Sequence, residues 1–232
     1  MRLRGLLLLL LSFAAAHSAA QQDVGEVINS HTVTEGRNPS VPDLKSKDKI
    51  FLNQLVRTNR KGSTQIALRP IETRKLGTVR IGSDTEVVFT DFVMAVARGE
   101  TPKMSLRLNL GLLRLVFRPE GTEPGEGEYW ITTPDAPPIR LLGTDIYVKV
   151  DPRDHSTTVL VVEGEAVIAP ATGEPVRLLA GQWTRIEAGR PPTPPATAPA
   201  PDDGGDPGLP PFADGLLPPD PFNLRLRLDL PN

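Results

Sequence analysis

Short apolar segments separated by Gly, Pro and Asp follow one another along the middle of the chain. The clearest series lies between Thr133 and Ile186, where apolar runs of four to seven residues each end at one of these residue types. Such runs are typical of short β-strands joined by tight turns. Gly143 and Gly164 stand at two of the breaks, where a residue that tolerates positive φ turns the chain at little cost.

Strict alternation of apolar and polar residues is strongest between Met104 and Phe117. Leucines alternate with polar residues up to Leu110, and after Gly111 the apolar phase is shifted by one residue. The shift predicts a bulge or a tight bend at Gly111-Leu112. A second alternating segment, 50–57, is predicted to be one strand.

These patterns together predict about fourteen short strands, because apolar residues nowhere hold a 3.6-residue period over three turns. The predicted fold class is therefore all-β. Short strands at close spacing suit a sandwich, a roll or a solenoid, and periodicity alone does not choose among them.

Residues 1–20 have the pattern of a secretory signal. Arg2 and Arg4 precede eleven mostly apolar residues, and Ser18-Ala19-Ala20 offers a cleavage site before Gln21. An apolar run of this length falls short of the roughly 20 residues that a membrane-spanning helix needs. We therefore expect export across the inner membrane to the periplasm, with no membrane span left after cleavage.

Proline usage divides the mature chain. Thirteen of the 25 prolines lie from Pro191 onward, which leaves residues 21–190 as one all-β domain and predicts a disordered Pro-rich linker over 191–222. Residues 223–232 are predicted to be a short strand-like segment, since four leucines alternate with charged residues from Leu224 to Leu230. We expect this segment to dock on an open edge of its own sheet; the alternatives are an edge on a partner and a disordered end in which the alternation arises by chance.

Charge and cysteine content exclude several function classes. Residues 21–190 carry 22 basic and 22 acidic side chains, so they provide no large positive field for nucleic acid or anionic lipid. The chain has no cysteine, so a disulfide framework is excluded and the usual structural zinc site has too few ligands.

Candidate catalytic and metal-binding groups are few. Asp154-His155-Ser156 has the composition of a hydrolytic triad, but three consecutive residues cannot form a hydrogen-bonded relay from base to nucleophile, and the segment is predicted to be a turn. Asp151 and Asp154 lack the dense oxygen ligands of a calcium site. The segment 121–128 resembles a phosphate loop, but three Glu would repel phosphate. We expect no enzyme activity, no cofactor and no metal.

The aromatic residues allow two interpretations. Trp130, Trp183, Tyr129 and Tyr147 are the only tryptophans and tyrosines in the chain. Packing in the core is the simpler role for them. Since Trp and Tyr dominate contact hot spots, one of them could instead anchor a protein interface.

The order of motifs from Thr133 to Gln182 resembles the FecR-like periplasmic domain. The resemblance rests on Thr133, Pro134, Arg140, Gly143, Thr144, Asp145, Gly164, Gly181 and Gln182. It implies a twisted, solenoid-like or roll-like stack of short strands. It also implies that these nine residues belong to a structural motif and not to a catalytic site.

FecR-like regulators receive a signal from an outer-membrane transporter and pass it to a sigma factor. They carry a cytoplasmic segment and a transmembrane helix ahead of the domain, whereas this chain starts with a signal, so we expect any signalling to run through a membrane partner. The first hypothesis is thus a periplasmic binding or sensing module that contacts an unknown protein in the periplasm or outer membrane. The second is a structural β-scaffold of a cell-surface assembly.

Overall fold

The computed structural model describes residues 22–31, 34–35, 44–68, 77–93, 101–117, 127–170 and 173–198. Within these ranges the secondary structure consists of strands, with no helix. In chain order they are β1 (Asp23–His31), β2 (Thr34–Glu35), β3 (Lys49–Phe51), β4 (Leu55–Thr58), β5 (Ser63–Leu68), β6 (Gly77–Ile81), β7 (Glu86–Val93), β8 (Lys103–Phe117), β9 (Glu128–Thr132), β10 (Ile139–Leu141), β11 (Asp145–Asp151), β12 (Ser156–Glu163), β13 (Glu165–Ile168), β14 (Val176–Leu179), β15 (Gln182–Glu187) and β16 (Ala196–Thr197).

The strands form two sheets that share the long strand β8. Sheet A has the order β3–β1–β5–β6–β8–β11–β12–β15–β16, and sheet B has the order β2–β4–β7–β8–β9–β10–β13–β14. The first half of β8 pairs with β7 and β9 in sheet B, and its second half pairs with β6 and β11 in sheet A. In the described part all pairs are antiparallel except β8–β9, and the combined sheet is not closed.

One hydrophobic core lies between the two sheets. Sheet A contributes side chains such as Ile66, Leu115 and Val159, and sheet B contributes Phe89 and Ile131, all of them fully buried. Along each strand these buried residues alternate with more exposed ones, as two packed sheets require. The alternation of apolar and polar residues in the sequence therefore distinguishes the core-facing side of each sheet from its outer side.

Glycines at positive φ mark the places where the chain passes from one sheet to the other. Gly111 (φ 89°) lies within β8, Gly143 (71°) between β10 and β11, Gly164 (80°) between β12 and β13, and Gly181 (76°) between β14 and β15. From β9 onward the strands consequently follow in pairs: β9 and β10 in sheet B, β11 and β12 in sheet A, β13 and β14 in sheet B, β15 and β16 in sheet A.

Gly111 shows why such a crossing needs glycine. A Cβ on this residue would overlap Thr85, whose hydroxyl accepts a hydrogen bond from the N–H of Leu112 at 2.9 Å. Thr85 is fully buried, so its side chain has no space to move away from a Cβ at position 111. The bend predicted at Gly111-Leu112 is confirmed, and it is the point at which β8 changes sheet.

The predicted all-β class is confirmed for the described residues. The narrower description as a solenoid or roll stays a prediction. The single strand predicted over 50–57 is wrong: a turn at 52–54, with Asn53 at φ 62°, separates β3 from β4. In that turn the N–H of Phe51 donates to Oε1 of Gln54 at 2.9 Å.

The start of the predicted disordered linker is also different in the structure. Residues 191–198 lie along β15 and include β16; the N–H of Thr193 donates to the carbonyl of Arg185 at 2.9 Å, and that of Ala198 to Gly181 at 2.8 Å. Four of these eight residues are prolines, which lack an N–H but are tolerated because the segment pairs on one side only. The signal 1–20, the rest of the linker and the segment 223–232 lie outside the described residues. None of the described segments is a helix able to cross a membrane.

Candidate protein-binding face

Five strands of sheet A place one residue each in a single row on the face that points away from the core. This outer row consists of Arg80, Arg114, Tyr147, Leu160 and Trp183, each directly opposite the next across the strands β6, β8, β11, β12 and β15. Register determines the row, because residues directly opposite in antiparallel strands share a face. Arginine and the aromatic residues are the types enriched at protein contact hot spots.

Arg114 is held in the outer row by two partners. Its Nε and Nη2 atoms donate to the two carboxylate oxygens of Asp145 at 2.9 and 2.8 Å, and its guanidinium carbon lies 4.9 Å from the centre of the Tyr147 ring. The side chain of Arg114 is 25% exposed and that of Asp145 only 9%. A bidentate ion pair combined with ring stacking fixes the plane of the guanidinium.

Asp145 also balances charge within the row. Arg80 and Arg114 are direct cross-strand neighbours, and two like charges in such positions repel. The Asp145 carboxylate compensates one of the two positive charges. Asp145 thus reduces the repulsion between the two neighbouring arginines.

The other end of the outer row is apolar. Leu112, Tyr147 and Leu160 are buried and form a cluster separate from the main core, with Val162, Trp183 and Ala198 packed against it. Trp183 keeps part of its surface accessible. The row thus combines an ordered basic end with an aromatic and aliphatic end.

Several residues of the sequence motif hold the crossings between the sheets. Thr133 joins the loop after β9 to β12, since its hydroxyl lies 3.0 Å from that of the buried Thr157. Thr144 is 1% exposed, and its backbone exchanges two hydrogen bonds with Phe117 at 2.8 and 3.0 Å. Gln182 accepts the N–H of Leu179 through Oε1 at 2.9 Å, across the turn at Gly181.

The remaining motif residues lie at different places in the fold, and only Gly143 and Gly164 among them are close together. Gly143 and Gly164 are adjacent at their crossings, Pro134 is exposed in the loop after β9, and Arg140 lies on the outer face of sheet B opposite Trp130. Asp145, one of the nine motif residues, contacts the outer row through Arg114. The motif residues therefore mark how the chain passes from strand to strand. Asp145 in addition orders the outer row.

Arg80 and Arg114 were not identified from the sequence. Both occupy polar positions in alternating strands, which indicates an outward side chain but gives no partner. Asp145 lies 31 positions after Arg114, so their contact depends on β11 lying beside β8. The local sequence contains no signal for that pairing.

The four aromatic residues of the two types lie in different parts of the fold. Tyr129 belongs to the core, and its ring centre lies 4.6 Å from that of Phe117. Tyr147 and Trp183 lie in the outer row, and Trp130 lies half-buried on the outer face of sheet B. The two tryptophans are thus on opposite faces of the molecule.

The segment 154–156 is part of the turn between β11 and β12, as predicted. The hydroxyl of Ser156 donates to Oδ1 of Asp154 at 2.6 Å, and Arg185 donates to Oδ2 at 2.5 Å. The hydrogen bond from Ser156, followed by the charge of Arg185, holds the pKa of Asp154 below its ordinary value of 3.8. The exposed His155 faces Asp135 with 3.7 Å between Nδ1 and Oδ1, so the three residues close a turn and do not form a relay.

A groove of about 310 Å³ lies beside the bend of β8 at Gly111. Its charged residues are Asp84, Lys149, Asp151 and Arg153, two of each sign. Oδ1 of Asp151 accepts the N–H of Arg153 at 3.0 Å and is thereby engaged in the turn. Among the described residues, no group of three or more His, Asp or Glu could hold a metal ion.

Comparison with known proteins gives a limited result. No family model and no curated protein matches this chain. Two crystal structures of a candidate anti-sigma factor from Parabacteroides distasonis, at 2.50 and 1.65 Å resolution, are similar to it with a TM-score of 0.47 and 16% and 15% identity. Each alignment covers 62% of this chain and 59% of the other, so the chain spans less than two thirds of that protein.

Proposed function

We propose that this chain is an exported, FecR-like binding or sensing module of the periplasm that acts by protein–protein contact through the outer row. The outer row carries this proposal, since Arg80, Arg114 and Trp183 remain partly exposed on one face, around the buried Tyr147 and Leu160 that pack beneath them. No catalytic role is assigned to any residue.

The order of the Arg114 side chain supports the proposal energetically. A guanidinium already fixed by Asp145 and Tyr147 loses little conformational freedom when a partner binds it. Half-buried Trp183 at the other end offers a large apolar surface with few rotatable bonds. A partner that fits offers hydrogen-bond acceptors to the arginines, whose guanidinium groups have several N–H donors, and an apolar group opposite Trp183.

The place of this module in signalling is proposed from the resemblance of the sequence to FecR-like domains. A signal from the outer membrane would reach this chain in the periplasm and pass on through a membrane partner, and iron uptake is one candidate source of that signal. The roll-like description of the fold belongs to the same proposal, and the alternation of strand pairs between the sheets supports it.

Site-specific photo-crosslinking in the producing bacterium tests the contact surface. A photoreactive phenylalanine replaces Trp183 in one strain and Trp130, on the opposite face, in a second. We expect one discrete adduct from position 183, reduced by an excess of purified unlabelled protein, and much weaker labelling from position 130. Equal adducts at both positions, or none at 183, would contradict the proposed surface.

Export is tested separately by mass spectrometry of the periplasmic fraction. Cleavage of the predicted signal gives a mature chain that begins at or close to Gln21. A chain that retains Met1 and stays in the membrane fraction would rule out this part of the proposal.

A structural scaffold is the second candidate function, and the unclosed sheet favours it. In the described part, β3 and β14 each pair with one neighbour, and such edges can join strands of other chains. Transcript profiling after deletion of the gene separates the two: a sensing module changes a discrete set of transcripts, whereas a scaffold alters envelope integrity without doing so. A neighbouring sigma-factor or iron-transporter gene would favour sensing, and adhesin or autotransporter genes would favour the scaffold.

A further inference from the structure

The outer strand of sheet B, β14, has hydrogen-bonding groups that point away from its neighbour β13. The N–H of Leu179 donates to the side chain of Gln182, so it is directed away from β13. Because backbone groups alternate in direction along an antiparallel strand, the N–H and C=O of Arg177 point the same way. Leu179 is also 49% exposed, a large value for a leucine. This edge is therefore suited to pairing with one more strand.

The chain leaves the described region beside this edge. The N–H of Ala198 donates to the carbonyl of Gly181 at 2.8 Å, and Gly181 is two residues beyond the end of β14. At this corner the chain also passes from β12 in sheet A to β13 in sheet B. There β13 pairs antiparallel with β10. A strand that follows β16 and passes the corner in the same way enters sheet B antiparallel to β14.

We propose that the C-terminal segment Leu226–Leu230 is this strand and pairs with the free edge of β14. Its leucines and charged residues alternate, as a strand with one face on the core requires. Leu228 and Leu230 would extend the inward row of Val176 and Leu178, and the charged residues would face solvent. The proposal does not depend on the proposed function.

The phase of the leucines and the charges together favour one register for this pairing. With Asp229 opposite Arg177, Leu228 faces Leu178, Leu230 faces Val176 and Pro231 faces Pro175. Arg177 already forms an ion pair with Glu165 at 2.5 Å, so a shift that places Arg227 or Arg225 opposite it adds a second cation to that pair, whereas Asp229 adds none. A shift by one residue turns all the leucines outward.

The intervening chain is long enough and favours the nearer edge. Residues 199–225 link Ala198 to the segment; a chain of this length spans about 26–31 Å as a flexible coil and up to about 80 Å as a fully extended Pro-rich segment. Among the described strands, the other edge with a buried inward residue is β3, which lies eight strand spacings away across sheet A, or about 38 Å for flat spacing. Docking on β14 therefore requires less extension of the linker.

Engineered disulfides test the edge and the register, since the natural chain has no cysteine. The full mature chain is made with the pairs Arg177→Cys/Asp229→Cys, Arg177→Cys/Arg227→Cys and Lys49→Cys/Asp229→Cys. Directly opposite residues of a hydrogen-bonded pair lie at about 5.5 Å between Cα atoms, which suits a disulfide. We expect the first pair to form an intramolecular disulfide at least tenfold faster than the other two.

The competing outcomes are distinguishable. Equal rates for the three pairs, or a faster reaction of the Lys49 pair, would overturn docking on β14. A disulfide between chains, with a rate that rises with protein concentration, would show that the segment pairs with a second copy and would also overturn the proposal.

Amide exchange gives an independent measurement on the cysteine-free chain. We expect the Arg177 amide to exchange at least tenfold faster after removal of residues 223–232, and also after Leu226→Asp/Leu228→Asp. The matched variant Leu216→Asp/Leu217→Asp lies outside the segment and should leave this rate unchanged. An Arg177 amide that exchanges equally fast in all four proteins would overturn the proposal.

Discussion

Gly164 lies so close to the carbonyl oxygen of Gly143 that a Cβ built on Gly164 would overlap that oxygen. The two glycines are consecutive crossings of the chain between the sheets, one from sheet B to sheet A and the other back. Glycine at position 164 is therefore required both by a φ of 80° and by space. At Gly143 the φ of 71° is the only constraint, since nothing lies within 4 Å of its Cβ position.

This difference predicts a ranking of substitutions. Gly143→Ala and Gly181→Ala should destabilise the domain by about 1–2 kcal/mol through backbone strain, and Gly143→Val by about 1–3 kcal/mol. Gly164→Ala adds overpacking and should cost about 3 kcal/mol or more. Thermal melts check the order, and Gly181 is the matched control because its φ of 76° is similar and its surroundings are open. Equal melting temperatures for Gly164→Ala and Gly181→Ala would contradict the close approach.

The contact between Arg114 and Asp145 should be measurable as a coupling energy. A double-mutant cycle with Arg114→Ala and Asp145→Ala is expected to give about 1–3 kcal/mol, because the pair is bidentate and mostly buried. Arg114→Lys should lose most of this coupling, since an ammonium cannot donate to both oxygens in one plane. Urea unfolding of the four proteins provides the free energies.

Lys103 and Glu128 form the control cycle for this pair. They are 39% and 52% exposed at a similar distance of 2.9 Å. Solvent screens such a pair, so its coupling should lie within the error of the measurement. The burial argument fails if the two cycles give the same coupling energy.

The lowered pKa of Asp154 predicts a change of stability in acid. Since the folded-state pKa lies below the ordinary value of 3.8, ionised Asp154 stabilises the fold above pH 3.8, and this contribution disappears as the pH falls through the folded-state pKa. Asp154→Asn should therefore lower the melting temperature at pH 6 and make progressively less difference below pH 3.8. The effect should stay below about 1 kcal/mol, because 45% of the side chain is exposed to solvent.

Melting curves of both proteins from pH 6 to pH 3 measure this difference, with the exposed Glu174→Gln as control for a general change of charge. Added salt should reduce the contribution of Arg185 at pH 6. A difference between the two proteins that grows as the pH falls below 3.8 would have the wrong sign for this explanation.

The sequence predicts the local geometry of the backbone better than it predicts which strands pair with one another. Breaks in the apolar pattern indicated Gly143, Gly164 and the bend at Gly111, because positive φ and phase shifts are local properties. The turn inside 50–57 was missed for a local reason as well: Ile50 and Val56 are six residues apart, so both lie in the same alternating phase and the turn leaves the pattern intact.

Contacts between distant strands account for most of what the sequence did not predict. The outer row depends on β6, β8, β11, β12 and β15 being neighbours in that order. Nothing in the alternation of any one strand specifies which strand lies beside it. Similarly, the prolines after 190 exclude a central strand but are compatible with an edge strand, and composition alone does not separate an edge strand from a disordered linker.

The segment 191–198 should stabilise the domain. Its Thr193 accepts a hydrogen bond from the fully buried Thr184 through its carbonyl and a second one, at 3.0 Å, from the N–H of Arg185 through its hydroxyl. A chain that ends at Arg190 loses both and exposes the edge of β15. Compared with a chain that ends at Ala198, it should lose about 1–2 kcal/mol and melt roughly 2–8 °C lower.

A point substitution separates the hydrogen bonds of Thr193 from the presence of the segment itself. Thr193→Val keeps the backbone and the shape of the side chain but removes the acceptor for the N–H of Arg185, so it should destabilise by about 0.5–1.5 kcal/mol. Thr197→Val is the control, because Thr197 is exposed in β16 on the same segment. A truncation at Arg190 that melts at the same temperature as the chain ending at Ala198 would mean that residues 191–198 do not stabilise sheet A. If the truncation destabilises but Thr193→Val does not, the stabilisation comes from covering the edge and not from the Thr193 hydroxyl.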